Sequence, residues 1–288
     1  MKILNDVSMK NYTTYKTGGI VRTMYFPENE IELIDLLKKL KKENIKYFII
    51  GNGSNIIVDD NYFDGAIINL KRLNKYNIKD NEVYCECGVM LPLIANMTIK
   101  SSLKGLESLI SIPGTIGGSI YNNAGAYNAE ISNYLKEIRA LNEDGEIATL
   151  QKQDCDFKYR DSIFKHTKKY VIISCVFELE NGNKEELLKI IDKRCEKRKL
   201  TQPLEYPSAG SVFRNPLNNY AGALIENLNL KGKTIGGAKV SDKHANFIIN
   251  ENNATSNDIK NLIKLIHEQV LNNYNIDLIL EQEIITWE

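Results

Sequence analysis

GNGSNIIV at residues 51–58 and IPGTIGGSIYNNAGA at residues 112–126 are the two stretches on which the reading of the fold turns. The first follows directly on KYFIIG (46–51), a β-rich run that ends in glycine. Glycine lets backbone N–H groups approach a ligand closely and supports turns with positive φ. Clustered N–H groups make concavities that suit a pyrophosphate. Candidate cofactor contacts in the first stretch are therefore Gly51, Asn52, Gly53, Ser54 and Asn55. In the second they are Pro113, Gly114, Thr115, Gly117, Gly118 and Ser119, then Asn123, Ala124 and Gly125. Neither stretch is a common nucleotide fingerprint. Gly51-x-Gly53 is followed by Ile56 where a Rossmann motif needs its third glycine. Neither contains Gly-Lys-Ser/Thr, so neither is a phosphate loop of that class. Taken singly, each reads equally well as a tight turn. Two on one chain point toward a nucleotide ligand without identifying it.

Around these loops strands alternate with helices, which predicts a mixed chain. VRTMYFP (21–27), GAIINL (65–70), EVYCECG (82–88) and YVIISCVFEL (170–179) read as strands. Asn29 is placed to cap a helix whose Leu33, Leu36, Leu37 and Leu40 recur at helical spacing. A helix is expected over 91–101, and a loop-rich segment over 111–125. A hairpin about Asp144-Gly145 is expected over 135–150. A charged helix is expected over 184–199, with Leu187, Ile190, Ile191 and Cys195 as its apolar side. Thr255 and Asp258 form a capping box before Ile259, Leu262, Ile263, Ile266 and Val270. DLILEQEIITW (277–287) reads as a final strand, which places Glu281 and Glu283 on one face.

The bulk numbers bound the answer. At 288 residues, with 43% hydrophobic and 26% charged, the chain suits a globular protein of two domains. Lys+Arg and Asp+Glu both number 37, which gives no support for nucleic acid as the main partner. No apolar run is long enough to span a bilayer and no signal-peptide pattern opens the sequence. Five scattered cysteines suit a reducing compartment, so a cytoplasmic location is expected. Cys85 and Cys87 share a strand face with Val83 and read as buried thiols. No metal site is expected.

Several motifs in fixed order make the resemblance specific. TGG (17–19), GNGSNIIV (51–58), IPGTIGGSIYNNAGAYNAEI (112–131), YRDS (159–162), PSAGSVFRNP (207–216), HANFIIN (244–250) and LEQEI (280–284) together resemble the UDP-N-acetylenolpyruvoylglucosamine reductase family over nearly the whole chain. The resemblance implies an α+β chain. A two-part FAD-binding domain of the vanillyl-alcohol-oxidase (PCMH) type would occupy 1–185, and a C-terminal α+β substrate-binding domain 186–288. It implies FAD as cofactor, NADPH as reductant and UDP-N-acetylglucosamine enolpyruvate as substrate. The stretch between Gly182 and Gln202 is short, which resembles the shorter form of the family. A monomer is the working expectation.

The resemblance also implies roles. Ser211 matches the family's proton donor, although a serine after glycine in a loop reads by itself as a turn former. Arg160 matches the arginine of a Tyr-Arg-x-Ser motif, whose fixed fork of donors suits a carboxylate. Glu283 matches the catalytic glutamate, with Glu281 as the alternative. Arg214 is expected at the flavin, and Tyr159, Asn215, His244 and Asn246 at the substrate. His244 reads equally as a structural histidine. A flavin oxidase acting on another alcohol or sugar, and a non-catalytic nucleotide-binding module, are the competing readings.

Overall fold

The computed structural model describes residues 1–287. The chain divides into two compact units that interleave in sequence. The first comprises Met1–Leu4, Thr23–Asn52 and Gly65–Glu196; the second comprises Asn5–Arg22, Gly53–Asp64 and the chain from Lys197 onward. Two N-terminal segments belong with the C-terminal residues, and 186–196 belong with the first unit.

The first unit is built on a five-stranded antiparallel sheet. Its order is Ile147–Gln151, Leu135–Leu141, Val171–Glu178, Glu82–Glu86, Tyr76–Lys79. The expected hairpin is its edge, turning at Gly145 with φ +77°. Register sets Cys175 opposite Cys85. Alternation then buries Val83, Cys85 and Cys87 on one face, as expected. Burial pushes the Cys85 thiol up to about 12, so it is an inert core group. A parallel pair, Tyr47–Ile50 with Phe63–Asn69, delivers the chain to Gly51. The helix Glu30–Lys42 is capped by Asn29, whose side chain accepts from the Glu32 N–H, and it buries Leu33, Leu36 and Leu40. The helix Leu91–Lys100 buries Leu91, Ile94, Ala95 and Ile99 against the same core.

The 111–125 segment differs from the loop expected there, because Ile116–Tyr121 is a short helix. Thr115 caps it by accepting from the Gly118 N–H. Gly117 lets it lie close on the sheet, since a Cβ there would come 2.9 Å from the Cys87 Cβ. In the helix Lys184–Thr201, Leu187 and Ile191 are buried while Ile190 is 37% exposed, so the apolar seam is narrower than its sequence suggests.

The second unit packs around Tyr15, Ile57, Val212, Phe213, Leu224, Ile225, Val240 and Ile248. One face of the helix Ser256–Tyr274 completes this core through Ile259, Leu262, Ile266 and Val270. The Thr255–Asp258 capping box forms as expected. Ser256 ties the helix start to the 56–60 segment, with Oγ donating to Asp60 Oδ1 at 2.9 Å. The expected terminal strand over 277–287 is shorter, because its partner changes along the way. Arg214 N–H donates to the Ile279 carbonyl and Glu281 N–H to the Val212 carbonyl. Glu283–Ile285 then pairs in parallel with Ile56–Val58. No helix among the described residues is long and apolar enough to cross a membrane. No cluster of His, Cys, Asp and Glu among them could hold a metal ion.

Candidate functional site

The fold brings the two glycine stretches together. Asn52 Nδ2 donates to the Pro113 carbonyl at 2.7 Å, and Lys71 Nζ donates to Asn52 Oδ1 at 2.9 Å. A Cβ on Gly51 would stand 2.3 Å from Thr115 Oγ1, so any larger residue there would force the loops apart. In the second stretch the N–H groups are largely used inside the protein. Ile116 N–H donates to the Val89 carbonyl and Gly117 N–H to the Cys87 carbonyl, both at 2.8 Å. Gly114 is buried and its carbonyl accepts from Leu91. What this loop offers a ligand is the open Cα of Gly118, whose added Cβ would touch only Thr115 Oγ1 at 3.4 Å, and the hydroxyl of Ser119. Ser119 is 2% exposed, and its Oγ has no hydrogen-bond partner among the described residues. A buried hydroxyl without a partner is costly, and it suits a polar ligand.

Beyond the helix, Asn123 is fully buried and its amide serves the fold. Nδ2 donates to Glu130 Oε2 and to the Lys158 carbonyl, both at 2.9 Å. The expected cofactor contact at Asn123 is thus a brace between loops. Ala124 N–H donates to the Ser119 carbonyl, and Gly125 pairs with Glu130. Lys158 and Asp161 exchange both backbone hydrogen bonds around a two-residue turn, Tyr159-Arg160. Arg160 stands at φ +57°, a conformation that a side chain with Cβ adopts only under constraint. The constraints are visible. Arg160 Nη2 donates to the Gly125 carbonyl at 2.7 Å, Ser162 Oγ donates to the Tyr121 carbonyl at 2.7 Å, and Lys165 Nζ donates to Asn122 Oδ1 at 2.8 Å. The Arg160 guanidinium lies over the Tyr159 ring at 5.0 Å, and Tyr159 is 45% exposed. Sequence reasoning passed over Ser162, Lys165 and Glu130, which hold this turn.

In the second unit, Gly53 stands at φ +66°, and a Cβ there would come 2.0 Å from the Tyr12 carbonyl oxygen. Its own carbonyl accepts from the Thr14 N–H at 3.0 Å. Ser54 is half-buried beside it. Asn55 Nδ2 donates to the Glu281 carbonyl at 3.2 Å, and the Asn55 carbonyl accepts from the Glu283 N–H at 2.9 Å. Both glutamates are half-buried, on either side of the buried Gln282. Ser211 follows Gly210, which stands at φ +78° with nothing within 4 Å of an added Cβ. The turn therefore presents an open side. Arg214 is held by its backbone to Ile279, and its Nε is buried without a partner among the described residues.

Three expected substrate contacts in this unit, Asn246, Asn215 and His244, make hydrogen bonds inside the protein. Asn246 is 4% exposed, and its amide pairs with both backbone groups of Phe213: Oδ1 accepts the N–H at 3.0 Å and Nδ2 donates to the carbonyl at 2.8 Å. It acts as a strand neighbour for Phe213. Asn215 Oδ1 accepts from the Ala221 N–H at 3.1 Å, at the start of the helix Ala221–Asn227. His244 Nδ1 accepts from the Asn246 N–H at 3.2 Å, and the ring leans on Phe247 with centroids 4.8 Å apart. Desolvation, with the Lys231 charge second, pulls the His244 pKa below its ordinary value. His244 is therefore a neutral structural acceptor near neutral pH. Gln282 and Tyr15 belong to this neighbourhood and no expectation included them.

Comparison with known proteins agrees with this picture. Residues 22–151 match the family described as "FAD binding domain". Residues 202–285 match "UDP-N-acetylenolpyruvoylglucosamine reductase, C-terminal domain". The wild-type Phl p 4.0202 glucose dehydrogenase superposes with a TM-score of 0.51 at 8% identity, covering 63% of this chain and 42% of that one, which shows a shared fold alone. The class is thus an FAD-binding α+β fold of the PCMH type carrying a separate C-terminal domain. UDP-N-acetylenolpyruvoylglucosamine reductase of Clostridium kluyveri is 42% identical over 281 residues, 97% of this chain and 92% of that protein. The reductase of Carboxydothermus hydrogenoformans is also 42% identical, over 98% of this chain and 94% of its own. The crystal structure of the reductase from Thermus caldophilus superposes with a TM-score of 0.86 at 29% identity, covering 99% of this chain and all of that one. The chain belongs to the UDP-N-acetylenolpyruvoylglucosamine reductase family.

The state of His244 gives a pH signature. Because folding lowers its pKa, the stability it contributes is intact above the unfolded value of about 6.5 and drains away as pH falls toward the folded value. In His244→Asn the side-chain oxygen can replace Nδ1 as acceptor and does not titrate there. Thermal unfolding at about pH 7.5 and about pH 5.5 should show the variant losing less Tm than wild type across that interval. Equal losses in the two proteins would contradict this account of His244.

Proposed function

We propose that this chain reduces the enolpyruvyl ether of UDP-N-acetylglucosamine to the lactyl ether, giving UDP-N-acetylmuramate for peptidoglycan precursor synthesis, with bound FAD and with NADPH as reductant. The observation that carries this reading is kinship at about 42% identity over 97% of the chain, through the FAD-binding and the C-terminal regions alike. The residues fit the cofactor. Ser119 Oγ and Arg214 Nε are buried polar atoms without partners among the described residues, and the Cα of Gly118 is open. In this reading Gly51, Asn52, Gly118 and Ser119 hold FAD in the first unit. A cytoplasmic location belongs to the same proposal, supported by five cysteines that are all free thiols. So does action as a monomer.

The chemistry that FAD supplies when bound is two-electron transfer from NADPH to the terminal vinyl carbon. The protein must then manage charge and a proton. As that carbon is reduced, negative charge gathers on its neighbour and spreads into the adjoining carboxylate. Interactions that strengthen with this charge accelerate the step. Arg160 takes this role, and the restraint on its side chain supports it. Nη2 is already held on the Gly125 carbonyl at 2.7 Å and the guanidinium lies over the Tyr159 ring, so less freedom is lost when its fork meets a carboxylate. Ser211 Oγ delivers the proton to the charged carbon. A hydroxyl is a weak acid, so it serves only when held in place at an open turn, which the Gly210 conformation provides. Glu283 sits on the strand paired with Ile56–Val58, and acts as an orienting group for the donor.

Rapid mixing without oxygen separates the two half-reactions. NADPH should bleach the flavin of the wild-type protein, and the enolpyruvyl nucleotide should restore it. Failure of the nucleotide to restore the colour would contradict the reductase reading. In Ser211→Ala, bleaching should keep its rate while restoration falls by about 10²–10⁴-fold, the usual range for loss of a positioned acid. In Arg160→Lys, restoration should fall by about 10- to 100-fold, as expected for a charge-assisted pair that loses its second contact. Equal losses in both half-reactions would remove either residue from the protonation step.

A further inference from the structure

We propose that Gln282 is a positioning residue for proton delivery, holding the Ala209-Gly210-Ser211 turn through its side-chain amide; the inference rests on the reading of Ser211 as the proton donor. Gln282 is 3% exposed, between two half-buried glutamates. Its Nε2 stands 3.2 Å from the Ala209 carbonyl oxygen and 3.2 Å from the Gly210 carbonyl oxygen. Its Oε1 accepts from the Tyr15 hydroxyl at 3.0 Å. Tyr15 is fully buried, and desolvation raises its pKa far above the ordinary value, so the phenol stays an O–H donor at any working pH. The Tyr15 carbonyl in turn accepts from Asn250 Nδ2 at 2.9 Å.

The direction of the amide is fixed by its surroundings. Two backbone carbonyls can only accept, so the NH₂ end must face them and the oxygen end must face Tyr15. The turn itself is unusual. In extended chain, successive carbonyls point to opposite sides. Here two successive carbonyls meet one donor, which requires a break between them, and Gly210 at φ +78° supplies it. The same break sets the direction in which Ser211 leaves the turn. Past it, Val212 N–H donates to the Asn246 carbonyl, and Ser211 bridges to Phe247. Ser211 is thus pinned on its C-terminal side by backbone pairing. On its N-terminal side Asn250 N–H holds the Pro207 carbonyl at 2.9 Å, and Gln282 holds the carbonyls of Ala209 and Gly210, the two residues next to Ser211. The amide touches no reacting atom; it acts only through Ser211.

Gln282→Met removes both halves of the amide at similar volume, and Tyr15→Phe removes only the hydroxyl behind it. The test is made on flavin-loaded protein, with NADPH and the enolpyruvyl nucleotide mixed in turn. Gln282→Met should retain flavin and bleach at the wild-type rate, while restoration slows by about 10- to 100-fold with little change in KM, as for a misplaced catalytic group. Tyr15→Phe should slow the same half-reaction less. The double variant should be no slower than Gln282→Met alone, because Tyr15 acts through the amide. Restoration at the wild-type rate in Gln282→Met overturns the proposal. So does equal slowing of both half-reactions with loss of flavin, which marks a merely structural role. Should Gln282→Met fail to fold, Tyr15→Phe decides alone. Selective slowing of restoration supports the proposal, and an unchanged or unselective rate overturns it. A wild-type protein that the nucleotide cannot reoxidise sinks the reductase reading itself, whereas normal wild-type turnover beside an unimpaired Gln282→Met sinks only this inference.

Discussion

Residues 279–285 change partners midway, and the second unit depends on that exchange. The first half pairs with 212–214 and the second half with 55–58. A continuous strand would have used one neighbour throughout. By dividing its hydrogen bonds, this short segment joins a loop near residue 55, a turn near residue 210 and the C-terminal end of the chain. Three pieces far apart in sequence thereby acquire fixed positions. Gln282 sits at the point of exchange and faces inward, where its amide reaches both the turn and Tyr15. The flanking glutamates are half-buried, so one short segment carries both an internal clamp and a candidate catalytic carboxylate.

The first unit applies the same economy to glycine. Glycines there serve approach more than flexibility. Gly51 lets one loop reach Thr115, and Gly117 lets a short helix lie on the Cys87 strand. In the second stretch, most of the N–H groups from Ile116 to Ala124 already have partners inside the protein. What that stretch has left over is the buried Ser119 hydroxyl, which has no partner among the described residues. Burying that hydroxyl unsatisfied costs stability, and a ligand that meets it recovers the loss. The Arg160 turn follows a related logic. Its left-handed residue is stabilised by Asn123, Ser162 and Lys165, none of which needs to touch a ligand.

The local rules were readable in the sequence. Asn29, Thr255 and Asp258 announced their helices, and the strand alternation announced the buried thiols. The interleaving of 5–22 and 53–64 with the C-terminal residues was not readable, because it is a matter of long-range packing with no local mark. The internal bonding of the asparagines was not readable either. Asn123, Asn246 and Asn215 have the right donors for a ligand, yet each amide is turned onto the backbone, and composition does not report which way an amide points. Gln282 was passed over because its neighbours are the more reactive residues. Arg160, Ser211 and Glu283 stood out only through the order of motifs; singly, each has an ordinary reading as an ion pair, a turn former or a solvated acid.

The central claim is that these glycine turns and orphaned polar groups exist to seat a flavin. The most direct measurement is the visible absorption spectrum of the purified protein, taken as isolated and again after incubation with FAD and removal of the excess. The account predicts the yellow spectrum of an oxidised flavin, bound in near-equal proportion to the protein. A colourless protein that takes up none would contradict it.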